Sequence, residues 1–561
     1  MAMLEPLKNL LDKGPDLPAP ADLAEALRKR FMSVMPAGSE KYLDQMRREY
    51  PEEMAWVDPT PLDGGPLMLR ELYWRKVTAA VVRKNNVIQA RREPSDADRV
   101  TPMLIGKRYP GLTGAKVFVS ENTPAGEAQS PIAQLVLKWV LFQKEIIGMS
   151  QFYKDPWKGT GVPYPPEFQA LKPAPEVPED FRRGADKLAG VARRGPFSIY
   201  TKKDGQDYIV DLRKIEALET RSPFVRTGGL ARFSRGSNGG LSTVSVEFQG
   251  KTYRPGGNAE WAMAEKRFLV GLNSFGTLAD HLTHMHIVGA GTWTICTRLA
   301  LPARHALRVV LEPFVVETMR VNNDNIDGLI LSENSNVPSY TGYTLATVHG
   351  AMRDVISNFD IRWLDAEYRA KEQGLLDDPA FPTMQSAVDL FRIFRRFTSA
   401  WCKEFVPTVD TDSRNFCQEL HSRVPNGVFK LLGIDGIEQL MPEHVAHLVA
   451  IGMFSESIWH CIVANMVRDY EMQFDIMPPA INAEGHPTLG LVLEKRNSIT
   501  IADLLRYKLV DDRVPLPTEA MKQCWAKFQS DLKSYEADVR KDASTQRYRV
   551  IPSEVPGSIH A

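Results

Sequence analysis

The chain is short of cysteine, has no excess of either charge, and lacks a charge-free apolar run long enough to cross a bilayer. Its five cysteines, Cys296, Cys402, Cys417, Cys461 and Cys524, are odd in number and form no C-x-x-C pair. That excludes a disulfide framework and a thiolate zinc site, and it fits a reducing compartment. With 69 basic and 69 acidic side chains there is no electrostatic footprint for nucleic acid or for an anionic membrane surface. Two apolar stretches fail as membrane spans: residues 131–149 contain Lys138, Lys144 and Glu145, and residues 448–467 contain Glu456, His460 and Asn465. Both read as core helices, the second with polar groups that must be satisfied inside the protein. The N-terminal MAMLEPLKNLLDKG carries Glu5, Lys8 and Asp12 where a signal peptide would have its apolar core, so a cytoplasmic location is expected.

A length of 561 residues fits several average domains or one large helical enzyme domain. Residues 21–35, 40–50 and 67–85 show helical patterns separated by proline-containing links, and residues 1–120 read as helical. Residues 156–178 are rich in Pro and Gly but are interrupted by Trp157, Tyr164 and Phe168, which reads as an ordered wrap. Beyond it the period changes. Residues 198–212, 231–233 and 242–253 carry β-branched and aromatic residues with turn signals at Asp204-Gly205 and Gly239-Gly240, predicting a small antiparallel sheet. From Trp261 onward helical periodicity returns at 261–289, 340–358, 385–406, 414–422, 443–470 and 517–541, with a short strand at 487–494. The expected fold is mainly α: a single domain over 1–561 with a helical N-terminal portion (1–190), a small β subregion (191–255) and a helical core (256–561).

Three of the eleven histidines, His281, His284 and His286, fall in the stretch DHLTHMH beginning at Asp280. Neutral imidazole is the commonest protein ligand for transition metals, so the cluster is a candidate metal site; satisfied histidines on an amphipathic helix are the other reading. In a regular α-helix positions i and i+5 diverge by about 140°. A π-type widening would bring His281 and His286 back to one face. His281 with His284, at i+3, is the alternative pair. His460 lies alone in an apolar helical stretch, where a histidine is more often a hydrogen-bonded core residue.

These residues resemble the lipoxygenase superfamily. In that family a tryptophan opens a long helix, an Ala-Lys-like pair follows, and two histidines five residues apart bind iron; Trp261, Ala264, Glu265, Lys266, His281 and His286 stand at the same distances. Upstream, Val246-Glu247-Phe248 and Tyr253-Arg254-Pro255-Gly256 are similar to the strand and proline-containing entry before that helix. Downstream, residues 299–307, Val310-Leu311-Glu312-Pro313, Val321-Asn322 and Phe381-Pro382-Thr383-Met384 resemble further family segments. The surroundings of His460 resemble the family's third ligand helix. The family places Asn, His or Ser four residues after that histidine, and Ala464 stands there instead. The choice is between a helix widened by one residue, presenting Asn465, and water in that position. The tail Pro556-Gly557-Ser558-Ile559-His560-Ala561 is similar to the family's C-terminus, whose carboxylate binds iron, although Ala561 replaces isoleucine. An α-carboxylate is anionic at neutral pH and supplies a single negative ligand. The resemblance runs from about residue 242 to the end, without the family's N-terminal lipid-binding β-sandwich, as in bacterial members.

The resemblance implies a large lipoxygenase-like catalytic domain holding non-haem iron, or manganese, on His281, His286, His460, Asn465 and the Ala561 carboxylate. It implies a dioxygenase that abstracts hydrogen from a polyunsaturated fatty acid and adds O2 to give a hydroperoxide, with peripheral membrane contact open to it through its lipid substrate. By position, Asn325 falls where the family has Ala or Gly beside the substrate, and Leu329 with its neighbours would line an apolar channel. Asn325 sits in a polar run, Asn322-Asn323-Asp324-Asn325, so a smaller or more polar metabolite is the alternative substrate. The departures at Ala464 and Gly276 motivate a third reading, a scaffold that keeps the fold without catalysis. No H-E-x-x-H is present to support a zinc hydrolase.

Overall fold

In the computed structural model the described residues are 93–124, 177–237, 239–330, 335, 337–338, 341–424, 426–487, 509 and 514–559, with only the backbone described at 324–329. The chain divides into two units, and the described residues all fall in the larger, made of residues 89–127, 176–487 and 507–561. Most of the expected helical N-terminal portion, the Pro/Gly-rich wrap as far as residue 176, and the 487–494 strand beyond residue 487 lie outside the described residues.

The mainly helical expectation holds, with a small antiparallel sheet. The sheet is a five-stranded meander of β3 (Lys202–Asp204), β4 (Asp207–Leu212), β5 (Gly229–Arg235), β6 (Leu241–Phe248) and β7 (Lys251–Tyr253), each strand pairing with its sequence neighbours. Along β4 the apolar Tyr208, Val210 and Leu212 are buried in alternation with less buried neighbours, which is the period-2 pattern read from sequence. Two local readings need correction. Residues 196–200, read partly as strand, form a 3-10 turn, because Pro196 at its start fixes helical φ and Thr201 then donates back to Ser198. Within 93–124, read as helical, Pro102–Leu104 (β1) pairs with Phe118–Ser120 (β2). Three-residue strands are too short for period 2 to stand out against a helical pattern.

The helical core begins with α1 (Ala259–Phe275), capped by Asn258, whose side chain accepts from Trp261 N at 2.8 Å. It runs without interruption into a widened segment, Gly276–Ala290, and then α2 (Gly291–Ala300). Helices α3 (Ala306–Val315), α4 (Thr318–Ile330), α5 (Leu345–Ser357) and α6 (Ala366–Glu372) follow. One core layer joins α7 (Pro382–Phe405) with α9 (Pro442–Phe454) and α10 (Glu519–Lys541), and α8 (Thr411–Arg423) lies beside α9. Phe394 on α7 meets Phe454 and Phe528 edge-on at 5.5 and 5.0 Å, and Phe397 stacks on Phe528 at 4.4 Å. Among the described residues one helix, Pro442–Glu471, is long and apolar enough to cross a membrane, and 94% of its apolar window is buried inside the protein. It is therefore packed as a core helix, as its polar residues suggested.

Candidate metal centre

Over Gly276–Ala290 the long helix is π-wound, so each carbonyl is offered five residues ahead rather than four. Side chains fit this pitch. Thr283 Oγ1 donates to Leu278 O at 2.7 Å, five residues back. At Gly289 a Cβ would lie 2.9 Å from His284 O, again five residues back, so glycine leaves this widened turn room to close. The consequence is that His281 and His286, which would diverge on an α-helix, converge with their Nε2 atoms 3.1 Å apart.

His460 is delivered by the second long helix. After α9 that helix is π-wound over Ser455–Trp459 and again over Cys461–Asn465, with His460 between the two segments. The Met466 N–H donates to Cys461 O at 3.0 Å, a five-residue step. His460 Nε2 lies 3.2 Å from His281 Nε2 and 3.1 Å from His286 Nε2. The three side chains are brought together as a triangle of nitrogens, two of the rings buried and His281 half-buried. Asn465 stands five residues beyond His460, the interval that separates His286 from His281, and the π-wound turn runs through it. The Asn465 side-chain oxygen is buried with no hydrogen-bond partner among the described residues.

Three facing imidazole nitrogens cannot all be satisfied by one another. Asn322 Nδ2 donates to His286 O at 2.7 Å, which turns its Oδ1 towards His286 Nδ1 at 3.4 Å. That assigns the proton to Nδ1 and leaves the His286 Nε2 lone pair facing the other rings. Burial pushes the His286 pKa down to about 4, against the smaller opposing effect of Asn322, so the ring is neutral at pH 7. Lone pairs held this close repel unless a cation sits among them, and nitrogens 3.1–3.2 Å apart can share one ion at about 2.0–2.1 Å. The donor set fits a transition metal: three imidazoles and an orphaned amide oxygen suit iron, zinc or manganese.

His284, on the same segment, does not face the triangle. Its Nδ1 meets Asp280 Oδ1 at 3.1 Å, and its ring lies 5.3 Å from Phe359. Asp280 is buried, which by itself would raise its pKa, yet Arg369, His284 and Tyr200 hold it down to about 2 and keep it anionic. Other histidines serve the fold: His305 caps α3 and meets Asp410 at 3.1 Å, His349 meets Ile330 O at 2.9 Å, His447 meets Asp365 at 2.8 Å, and His444 Nδ1 accepts from Met441 N at 3.1 Å. Sequence reasoning noted Asn322 only as part of a motif and of a polar run, and gave Asp280 and Arg369 no role. The signal available for Asp280 was a lone acid beside a histidine in an apolar stretch.

Ala561 and His560 lie outside the described residues, but the residues leading to them are buried from Val555 to Ile559. Ser558 Oγ donates to Val316 O at 3.2 Å, and Leu509 N donates to Val555 O at 2.9 Å. Asn325 belongs to α4, the helix that brings Asn322 to His286, and the side chains of Asn325 and Leu329 lie outside the description.

No protein-family model matches the sequence. No curated protein matches it either. Solved structures do resemble it. A lipoxygenase deletion variant superposes with a TM-score of 0.69 at 12% identity, covering 89% of this chain and 83% of that one. A coral 8R-lipoxygenase gives 0.67 at 12% identity over 89% and 82% of the two chains, and a calcium-dependent 11R-lipoxygenase gives 0.68 at 14% over 85% and 80%. At these identities the likeness establishes architecture: the fold of this chain is that of the lipoxygenases.

Proposed function

We propose that this chain is a non-haem iron dioxygenase that abstracts hydrogen from a polyunsaturated fatty acid and adds O2 to give a hydroperoxide. The observation that carries this reading is the triangle of His281, His286 and His460 on two π-wound core helices, within a lipoxygenase fold. The metal would be held by these three imidazoles, by the Asn465 amide oxygen and by the Ala561 carboxylate, with manganese as the alternative ion. Bound iron would supply one-electron oxidation of a weak carbon–hydrogen bond, such as the methylene between two cis double bonds. The chain's own residues hold the His286 imidazole neutral by burial, fix its tautomer through Asn322 and keep bulk water off the His286 and His460 rings, 8% and 0% exposed. The buried approach of Val555 to Ile559 supports a C-terminal carboxylate ligand inside the protein, where a chain end is ordinarily solvated.

Substrate placement follows α4. Asn325 stands about one turn beyond Asn322, which supports Asn325 and Leu329 as residues of the substrate channel. Two members of the polar run that pointed to a smaller, more polar substrate are engaged internally: Asn322 with His286, and Asn323 Nδ2 with Thr123 Oγ1 at 3.3 Å. That favours the fatty acid. Five free cysteines, four of them buried, support a reducing cytoplasmic setting. The test is metal analysis of the untagged protein with an oxygen-electrode screen. Near-stoichiometric iron, with O2 uptake and a conjugated hydroperoxide from linoleate or arachidonate, is expected. Iron without lipid hydroperoxide would overturn the fatty-acid reading, and uptake confined to non-lipid substrates would favour the polar alternative.

A further inference from the structure

The two ligand-bearing helices are bridged by the short segment 364–369, which takes no part in the triangle itself. Its backbone and side chains grip the second helix at two levels. Trp459 Nε1, beside His460, donates to Leu364 O at 2.8 Å, and His447 Nε2 meets Asp365 Oδ2 at 2.8 Å. Asp365 also caps α6 by accepting from Tyr368 N at 2.9 Å, which fixes the direction in which the helix leaves. One turn on, Arg369 is buried with its guanidinium between the two helices. Its carbon lies 4.9 Å from the centre of the Trp459 ring, and its Nη2 lies 3.6 Å from Asp280 Oδ2 on the first helix. The same Nη2 donates to Ile199 O at 3.1 Å, and Gln373 Nε2 donates to that carbonyl at 2.7 Å. Each end of this bridge is the immediate sequence neighbour of a triangle histidine: Asp280 precedes His281, and Trp459 precedes His460.

We propose that Arg369 is a positioning residue that sets the separation of His281 and His460, by holding Asp280 and the indole of Trp459 from a single guanidinium. This rests on the metal reading of the histidine triangle. A planar guanidinium can pair with a carboxylate at its edge while stacking its face on an indole, and an ammonium group cannot match both at once. Asp280 in turn reaches His284 at 3.1 Å, so the bridge also holds the turn between the two first-helix ligands. Groups of this kind around a metal site orient the ligands, and their loss typically lowers metal affinity ten- to a hundredfold.

The test uses the full chain, cobalt(II) as the probe ion, and the variants Arg369→Lys, Asp280→Asn and the double substitution. Ligand-field absorption reports the geometry of the bound ion, and titration reports its affinity. The wild type is expected to bind one equivalent. Each single variant is expected to weaken binding ten- to a hundredfold with a shifted spectrum, and the double variant to be no weaker than the worse single, because the bridge is lost only once. A merely structural role would lower the unfolding temperature and leave the spectrum unmoved, and that outcome overturns the proposal. Singles within twofold of wild type, or an additive double, overturn it equally. Should Arg369→Lys fail to fold, the isosteric Asp280→Asn decides on the same two readouts. Absence of any cobalt absorption in the wild type would instead remove the metal reading, and the bridge with it.

Discussion

At His286 the cost of burying a charge and the placement of one proton act together. Its folded pKa of about 4 lies below the ordinary 6.5, so between those values the unfolded chain binds a proton that the folded chain refuses. Stability of the metal-free protein is therefore fully present above pH 6.5 and falls as the pH drops towards 4, with a slope of up to about 1.4 kcal/mol per pH unit. Urea midpoints measured across that range should show the slope in wild type and its loss in His286→Gln. Asn322 holds both the carbonyl and the ring of that histidine. Asn322→Leu leaves buried polar groups unanswered and should cost about 1–3 kcal/mol. It should also weaken metal binding about tenfold or more in an equilibrium titration. Tight binding retained by the leucine variant would show that the His286 tautomer is fixed by something other than this amide.

Among the elements, the π-wound segment decides whether two histidines five residues apart can cooperate. The contrast between two of its glycines tests this. At Gly276 a Cβ would meet Phe197 and Tyr200 at 3.5 Å, ordinary contact distances, so Gly276→Ala should be neutral or stabilise by up to about 1 kcal/mol. At Gly289 it would press on His284 O at 2.9 Å, so Gly289→Ala should destabilise by about 1–3 kcal/mol and reduce bound metal, read by calorimetry and metal analysis. The pitch itself was legible only in part. Periodicity showed that residues 261–289 are helical, and the i+5 spacing of His281 and His286 pointed to a widening, but apolar patterning does not distinguish a π-turn from an α-turn. The antiparallel pairing was readable at two places, where Asp204-Gly205 turns β3 into β4 and Gly239-Gly240 turns β5 into β6. The grip of Asn322 on His286 and the reach of Arg369 to Asp280 were not, since each joins residues far apart in the chain that no local pattern links.

In the molecule as a whole the site depends on the layer of α7, α9 and α10, because α9 leads directly into His460. Phe394 lies among Phe314, Phe454 and Phe528, with ring centres 5.0–6.2 Å away. Phe394→Ala should lower stability by about 3–5 kcal/mol in denaturant titration. If the helix is held by that layer, the same variant should release metal at denaturant concentrations below its unfolding midpoint. A C-terminal extension beyond Ala561 should abolish stoichiometric metal, and normal metal content in such a protein would remove the carboxylate from the ligand set.

Two of the three imidazoles share one helix, while the third is 174 residues from His286 and 179 from His281. An ion held among them therefore escapes only when one helix moves away from the other, because the near pair stays together for as long as its turn survives. Chelator capture becomes a clock for that motion: at saturating chelator the rate of metal loss should stop rising with chelator concentration and equal the opening rate of the helix pair.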